Sequence, residues 1–338
     1  MREPPRPQRE PLVPPGQVEH LVRDMTATFA ADVTLDAAQA RLAQHNQWLP
    51  IDGDPSAPLG QLVESNSTGP LRLGYGAWRD LLLGCQFTNG NGELITAGGR
   101  TVKNVAGYDL TKFMAGQHGV FGRVVTITVR TYRKPESALL ATFAPDVKRL
   151  SALLTTRARP QWGVLTADAL LCGYLSDART ASFYEAELPR HRPLRVERRA
   201  VEDDVRHRQE MWPAPRGLGV PPEQSPPQRP ARGPNAQATL RFRASVPPAS
   251  APRFIGASRL TGWAADAAFG VVVGSCEASA QREVERAAHE AGGSILFFDP
   301  SGTPLQLTSD PKLQQLLDRL KIAFDAQGAL EPIPVRML

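Results

Sequence analysis

The sequence is poor in cysteine and has no long apolar run. Its 338 residues include three cysteines, Cys85, Cys172 and Cys276, which stand far apart and form no CxxC pair. Neither a disulfide framework nor a cysteine metal site is therefore predicted, and a reducing, cytoplasmic location is expected. The most apolar stretch, Phe269–Cys276, has the length of a strand, whereas a membrane-spanning helix needs roughly 18 residues.

The N-terminus lacks the features of a secretory signal peptide. Residues 1–15 contain six prolines and three arginines but no apolar segment. We expect residues 1–17 to form a disordered tail. A second proline-rich stretch, residues 213–234, has eight prolines and is predicted to be an exposed loop.

The net charge of +5 is too mild to favour nucleic-acid binding. The arginines from Arg195 to Arg208 are interleaved with acidic residues, namely Glu197, Glu202, Asp203 and Asp204. This pattern favours a solvated, salt-bridged face. The alternative is that arginines of this region clamp a substrate carboxylate, and the sequence does not identify which ones.

Several common site motifs are also absent. The chain has no GxxxxGK[ST] loop, no GxGxxG between a strand and a helix, and no GxSxG elbow. The six histidines are scattered, so no metal site is predicted. No catalytic acid or base is assigned from the sequence.

Local patterns predict a mixed α+β fold. Thr34 is placed as the N-cap of a helix whose apolar positions recur at helical spacing, and Asp109 as the N-cap of a shorter helix. Asn89–Gly92 is a strong hairpin signal. Residues 124–132 alternate between apolar and polar side chains, which predicts a half-buried antiparallel strand.

The later part of the chain predicts a second domain. Between residues 238 and 298 the predicted order is β-α-β-β-α-β, as in a ferredoxin-like unit. A final helix begins at Pro311 after the cap Asp310 and is expected to end at Gly328. Its apolar stripe is predicted to be core and consists of Leu313, Leu316, Leu317, Leu320 and Phe324. We place the domains at 18–135 and 136–338.

Two stretches of the first domain carry the candidate site. The loop Ser65–Gly69 offers hydroxyl, amide and backbone N–H groups, which suit a flavin edge or a phosphate. The stretch 103–109 places a cation just before a helix N-terminus. Gly116, Gly119 and Gly122 are spaced by three; they either turn the chain or let the backbone approach a flat ligand.

These two stretches resemble a known family. The run from Gly60 to Asp80 (GQLVESNSTGPLR…YGAWRD) and the run from Lys103 to Gly122 (KNVAGYDLTKFMAGQHGVFG) resemble the FAD-binding domain of the vanillyl-alcohol-oxidase/p-cresol-methylhydroxylase (PCMH) type. The second run is most similar to the FAD-binding E subunit of bacterial glycolate oxidase. The resemblance covers residues 18–134 and, loosely, the C-terminal helix.

The resemblance implies non-covalent FAD and oxidation of a 2-hydroxy acid to a 2-oxo acid, with the flavin carrying the electrons. It implies that Lys103 stabilises a reduced, anionic flavin. His118 does not align with the histidine that holds flavin covalently in some relatives. The implied cofactor-binding residues are Gly60, Ser65, Asn66, Gly69, Lys103, Gly107, Tyr108, Asp109 and Gly119.

The resemblance also implies a hetero-oligomer with a second flavoprotein subunit and an iron–sulfur subunit. Family members have an earlier Gly-rich loop for the pyrophosphate, but Gly16 is the only glycine before Gly53. We therefore expect an N-terminally truncated domain. Three origins are open for such a truncation. The start of the chain is placed too late, the missing half is a separate polypeptide, or the chain is a degenerate remnant. The alternatives to an enzyme subunit acting on a 2-hydroxy acid are a non-catalytic assembly subunit with weak FAD binding and an oxidase of another alcohol.

Overall fold

A computed structural model describes residues 10–99, 109–212, 239–266, 268–298 and 311–332, with only the backbone for 311–314. The chain divides into two units, each with its own hydrophobic core. The first comprises Met1–Thr68, Tyr75–Lys134 and Thr308–Leu338, and the second Gly69–Gly74 and Pro135–Leu307. The predicted boundary after residue 135 placed Gly69–Gly74 in the first domain and the C-terminal helix in the second. In the structure, Gly69–Gly74 belongs to the second unit and the C-terminal helix to the first.

The first unit is built on a five-stranded antiparallel sheet of order β1-β2-β6-β4-β5, beside the two-stranded β3-β7. Its strands are β1 (Val18–Leu21), β2 (Thr26–Ala30), β3 (Gln47–Trp48), β4 (Leu82–Thr88), β5 (Leu94–Gly98), β6 (Arg123–Arg130) and β7 (Tyr132–Arg133). Its helices are α1 (Leu35–Ala43), α2 (Leu59–Glu64), α4 (Trp78–Leu81) and α5 (Leu110–Met114), while α3 (Arg72–Tyr75) begins in the segment that belongs to the second unit.

Local capping and turn signals are confirmed. The Thr34 hydroxyl accepts a hydrogen bond from the Ala37 N–H at 3.4 Å and caps α1. The Asp109 carboxylate accepts one from the Lys112 N–H at 3.2 Å and caps α5. The Asn89 side chain closes the hairpin between β4 and β5 by accepting from the Asn91 N–H.

Strand β6 is buried on both faces, so the prediction of a half-buried strand is wrong. Thr126 is 0% exposed and Thr128 is 2% exposed. The Thr126 hydroxyl donates to Gln86 Oε1 at 3.1 Å, and the Thr128 hydroxyl lies 2.9 Å from that of Thr28. Because these polar side chains bond to one another, the polar face is also buried.

The end of the predicted disordered tail packs against the first unit. Residues 1–9 lie outside the described part of the chain. The Leu12 N–H donates to Gln86 Oε1 at 2.6 Å, and the Val13 side chain is buried in the core. Ordered structure therefore begins before residue 18.

The second unit contains a continuous eight-stranded antiparallel sheet of order β11-β8-β10-β9-β13-β14-β12-β15. Its strands are β8 (Ser137–Phe143), β9 (Trp162–Leu165), β10 (Leu170–Ser176), β11 (Arg195–Arg199), β12 (Thr239–Ser245), β13 (Gly262–Asp266), β14 (Val271–Glu277) and β15 (Ser294–Phe298). Its helices are α6 (Val147–Leu154), α7 (Ala178–Glu187), α8 (Val201–Met211), α9 (Ala251–Ala257) and α10 (Gln281–Glu290).

The ferredoxin-like arrangement occurs twice in this sheet. Strands β12, β13, β14 and β15 with α9 and α10 form the predicted unit, and β8 to β11 with α6 and α7 repeat its order. The halves join where Leu165 of β9 pairs with Ala265 of β13. The first copy was not predicted from the sequence.

Helices pack on one face of the sheet, and the opposite face, called the open face, is covered by α8 in the first half only. Leu240, Phe242 and Ala244 belong to the helix-side core, so Arg241 and Arg243 point to the open face because side chains alternate along a strand. Helix α8 contacts β8, and its Asp204 accepts a hydrogen bond from Trp162, so this helix lies against the first half. The predicted proline-rich loop 213–234 lies outside the described residues.

The arginine-rich stretch is largely salt-bridged, as predicted. Exposed or half-exposed pairs join Arg198 to Glu185 at 2.8 Å and Arg199 to Glu197 at 2.5 Å. The exception is the pair Asp204–Arg208, whose side chains are 1% and 2% exposed. This pair is therefore part of the interior of the second unit.

The C-terminal helix α11 (Pro311–Phe324) belongs to the first unit. Phe324 stacks on Phe113 with ring centres 5.5 Å apart. The Lys321 ammonium donates to the carbonyl oxygens of Val120 at 2.9 Å and Glu331 at 2.7 Å. The core prediction is wrong for Leu316, which is 53% exposed.

Two further predictions about α11 have different outcomes. The helix ends at Phe324, four residues before the expected Gly328, because the Asp325 carboxylate accepts hydrogen bonds from the N–H groups of Ala329 and Leu330. Asp310 and the side chain of Leu313 lie outside the described residues.

Candidate functional site

The two stretches that the sequence singled out meet at the end of α2. The Gly116 N–H donates to the Val63 carbonyl at 2.9 Å, and the His118 N–H donates to the Glu64 carbonyl at 2.8 Å. Carbonyls in the last turn of a helix have no partner within it. The loop after α5 supplies those partners and is thereby fixed against α2.

Asn66 and Gly116 form the centre of this junction. Asn66 has φ 47° and Gly116 has φ +90°, and a Cβ at Gly116 would lie 3.2 Å from the Asn66 Cβ. The Asn66 Oδ1 is buried and accepts no hydrogen bond from the described residues. A buried carbonyl oxygen without a donor is unfavourable, so this atom is suited to an N–H group of a ligand.

Two neighbours of Asn66 have bonds or contacts within the protein. The Ser65 hydroxyl donates to the Gln61 carbonyl at 2.8 Å, so its proton is used by α2. The Gly60 N–H donates to the Ala31 carbonyl at 2.9 Å, and a Cβ at Gly60 would lie 2.7 Å from the Ala31 Cβ. Gly60 is therefore required by packing.

The other predicted site residues are not brought to Asn66 by any described contact. Asp109 caps α5 and forms an ion pair with Lys112 at 3.3 Å. Gly119 has φ +78° and lies beside the Arg123–Glu331 ion pair. Gly69 belongs to the second unit, and Lys103, Gly107 and Tyr108 lie outside the described residues.

Glu64 is a structural member of this junction that the sequence analysis missed. Its Oε1 accepts the Val124 N–H at 2.8 Å and so joins α2 to β6. Burial raises the pKa of its carboxyl, against the lowering effect of that hydrogen bond and of Arg123. No sequence motif distinguishes this glutamate, because its partner is a backbone group 60 residues away.

The second unit has a pocket of about 390 Å³ on the open face of its second ferredoxin-like half. Both Arg241 and Arg243 line it, together with Met211, Trp212, Val273 and Phe298. The sequence analysis did not single out these two arginines. The signal was present in β12, where the two arginines alternate with Leu240, Phe242 and Ala244.

A cluster of charged side chains adjoins this pocket. The Asp266 side chain is buried, and burial raises the pKa of its carboxyl to about 7 although Arg72 and Arg243 oppose the shift. Burial lowers the pKa of Arg243, and the like charge of Arg72 adds to that effect. The guanidinium of Arg72 lies 4.0 Å from the centre of the Phe269 ring.

Comparison with known proteins identifies the first unit. Residues 16–98 match the family model described as an FAD binding domain. Residues 16–98 are thus similar to an FAD binding domain. This confirms the predicted resemblance and FAD as the cofactor of the domain. Non-covalent attachment and the N-terminal truncation stay predictions.

The curated relatives are similar over about a third of the chain. It is 31% identical over 127 residues to glycolate oxidase subunit GlcE of Escherichia coli and 36% identical over 119 residues to subunit GlcD of Bacillus subtilis. It is 30% identical over 100 residues to the mitochondrial D-lactate dehydrogenase [cytochrome] of Arabidopsis thaliana. These alignments cover 37, 34 and 30% of the chain and 36, 25 and 18% of the relatives.

The fold is shared with a solved enzyme over most of the chain. Two structures of an alkyldihydroxyacetonephosphate synthase superpose with TM-scores of 0.62 and 0.60 at 12% identity. The matches cover 92 and 91% of this chain and 64% of the neighbour. The predicted fold class, α+β with an antiparallel-sheet second domain, is confirmed.

The FAD-binding family fits the residues at the Asn66 junction. A flavin ring carries both an N–H donor and carbonyl acceptors, so it matches an unsatisfied buried Oδ1. Gly116 leaves the space beside Asn66 without a side chain.

None of the helices in the described ranges has the length and apolar character that a membrane-spanning segment requires.

Proposed function

We propose that the chain is an FAD-dependent oxidoreductase subunit that converts a 2-hydroxy acid into a 2-oxo acid. The observation that carries the proposal is the buried, unsatisfied Asn66 Oδ1 beside Gly116, in a domain of an FAD-binding family. The similar proteins are named for glycolate and D-lactate, which are both 2-hydroxy acids. This supports the same substrate class here.

FAD, when bound, supplies a hydride acceptor for the substrate carbon. Asn66 accepts a hydrogen bond from the cofactor, and Gly116 keeps the neighbouring space open. Arg241 and Arg243 bind the substrate carboxylate, since guanidinium groups form the strongest hydrogen bonds with carboxylates. We include Ser65, Lys103, Gly107 and Tyr108 in the cofactor site by their place in the family motifs.

We also propose that the chain works in a complex. Two of the similar proteins are named as glycolate oxidase subunits, which supports assembly into a complex. A second flavoprotein subunit and an iron–sulfur subunit are proposed as its partners from the family resemblance alone. The non-catalytic alternative assigns this chain to assembly alone. The cytoplasmic location stays a prediction.

Reduction of the bound flavin tests the function directly. We expect the full chain, purified and incubated with FAD, to keep flavin absorbance after gel filtration. Anaerobic addition of a 2-hydroxy acid is expected to bleach that absorbance, whereas the matching 2-oxo acid leaves it unchanged. A colourless chain that FAD does not reconstitute would support the assembly subunit. A reconstituted flavin that no 2-hydroxy acid reduces would contradict the proposed reaction.

Asn66→Ala tests the cofactor contact. We expect the Kd for FAD, measured by quenching of flavin fluorescence, to rise about fivefold, since one hydrogen bond is worth about 1 kcal/mol. The matched control is Asn46→Ala, because Asn46 is also in the left-handed region, at φ 55°, but is exposed. Equal FAD affinities for the two variants would remove Asn66 from the site.

A further inference from the structure

The two ferredoxin-like halves differ at one pair of equivalent positions on the open face. Leu165 pairs with Ala265 where the halves join, and three residues earlier on each strand stand Trp162 and Gly262. Across the next strand, Trp162 pairs with Gly173 and Gly262 pairs with Ser275. The same place in the fold thus has an indole in one half and no side chain in the other.

The indole fills the open face of the first half. Trp162 is fully buried, and its Nε1 donates to Asp204 of α8 at 3.1 Å. A Cβ at Gly173 would lie 1.8 Å from that Nε1. In the second half, a Cβ at Gly262 would meet only the Ser275 Oγ, at 3.9 Å. The pocket of about 390 Å³ therefore lies where the first half is filled.

The pocket offers two kinds of contact. Arg241 and Arg243 lie on the open face of β12. Arg241 pairs with Phe298 of β15, and Arg243 pairs with Val273 of β14. Apolar side chains form most of the remaining lining and come from Met211, Trp212, Ala264, Val273 and Phe298. An anionic group and an apolar body are thus both accommodated.

We infer that this pocket selects 2-hydroxy acids with a branched aliphatic or aromatic side chain, bound by the carboxylate to Arg241 and Arg243 and by the side chain to the apolar lining. The inference rests on the proposed function. Pockets of about 300–1,000 Å³ enclose ligands much larger than a two-carbon acid. Glycolate can occupy the arginine end but leaves the Phe298 and Trp212 surface uncovered.

The charges around the pocket favour an anion. Arg72, Arg241 and Arg243 bring three guanidinium groups to this region, and Asp266 is the carboxylate that acts on Arg72 and Arg243. Burial lowers the pKa of Arg243 because its charge is poorly solvated. A bound carboxylate offsets this cost by pairing with the guanidinium.

Titration calorimetry on the full chain without FAD measures this selectivity, because no probe can then be oxidised. The probes are glycolate, lactate, 2-hydroxyisocaproate, phenyllactate and 3-phenylpropionate, which has no hydroxyl to oxidise. We expect phenyllactate to bind at least about tenfold more tightly than glycolate, from the added apolar burial. Equal or tighter glycolate binding would overturn the inference.

Gly262→Trp fills the pocket as Trp162 fills the other half. We expect it to abolish the preference for phenyllactate over glycolate, while Gly256→Trp, at an exposed position with open space, preserves it. Arg241→Met is expected to weaken phenyllactate binding about tenfold and covers the case in which Gly262→Trp does not fold. An unchanged preference in Gly262→Trp, or unchanged binding in Arg241→Met, counts against the pocket.

The same probes separate the two proposals. If 3-phenylpropionate binds and loses affinity in Gly262→Trp, but phenyllactate does not reduce the flavin, the pocket stands and the proposed reaction fails. If a 2-hydroxy acid reduces the flavin but binds without preference for an apolar side chain, the reaction stands and the inferred selectivity fails.

Discussion

Asp266→Asn is expected to change the free energy of unfolding more favourably at pH 8 than near pH 4, by about 4 kcal/mol. Burial raises the pKa of Asp266 from 3.8 to about 7, so the folded chain keeps a proton that the unfolded chain loses above pH 4. The contribution of this carboxyl to stability therefore falls as pH rises from about 4 to 7 and is level above that range. Within this pH range, each pH unit lowers the free energy of unfolding by about 1.4 kcal/mol. The Asn variant does not lose this stability, because its side chain does not ionise.

Urea unfolding between pH 3.5 and 8.5 measures this effect. The stability difference between Asp266→Asn and the unaltered chain is expected to grow up to about pH 7 and then to stay constant. The control is Asp168→Asn, an exposed aspartate of the same unit, which is expected to leave the pH profile unchanged. A pH profile of Asp266→Asn that runs parallel to that of the unaltered chain would show that this carboxyl does not titrate in the interior.

Asp204→Ala is expected to destabilise the second unit by about 3–5 kcal/mol. It leaves the guanidinium of Arg208, which is 2% exposed, without this carboxylate and removes the acceptor of the Trp162 Nε1. Removing one partner of a buried ion pair costs about this much, because the remaining charge loses a counter-charge in the interior. Urea unfolding followed by tryptophan fluorescence gives the measurement.

The neighbouring residue provides the control. Asp203 lies on the same helix and forms an exposed ion pair with Arg206, so Asp203→Ala is expected to cost about 1 kcal/mol or less. Replacing both members of the buried pair, in Asp204→Leu with Arg208→Met, is expected to restore much of the stability lost in Asp204→Ala. Equal costs for Asp203→Ala and Asp204→Ala would contradict a buried role for the pair.

The predictions for Asp266 and Asp204 concern the same face of the eight-stranded sheet, which differs between the two halves. In the first half, α8 and Trp162 cover the face, and the Asp204–Arg208 pair is retained beneath them. In the second half, Gly262 leaves a pocket, and Asp266 lies near Arg72 and Arg243. The repeated fold thus has a filled face in one half and a pocket in the other.

The sequence by itself determined the local features of this protein. Thr34, Asp109 and Asn89 bond to backbone groups within four residues, so their capping and turn roles follow from short-range chemistry. The alternation in β12 and the β-α-β-β-α-β order follow from side-chain periodicity. The flavin-family motifs are contiguous stretches and were recognisable for the same reason.

Only the tertiary structure decided the features that depend on distant residues. The polar face of β6 is buried because Gln86 and Thr28 bond to its threonines, and Leu316 is exposed although its spacing suits a core stripe. The pairing of Leu165 with Ala265 makes Trp162 and Gly262 equivalent and so explains the pocket. Burial and strand neighbours come from residues far apart in the chain, and no local pattern encodes them.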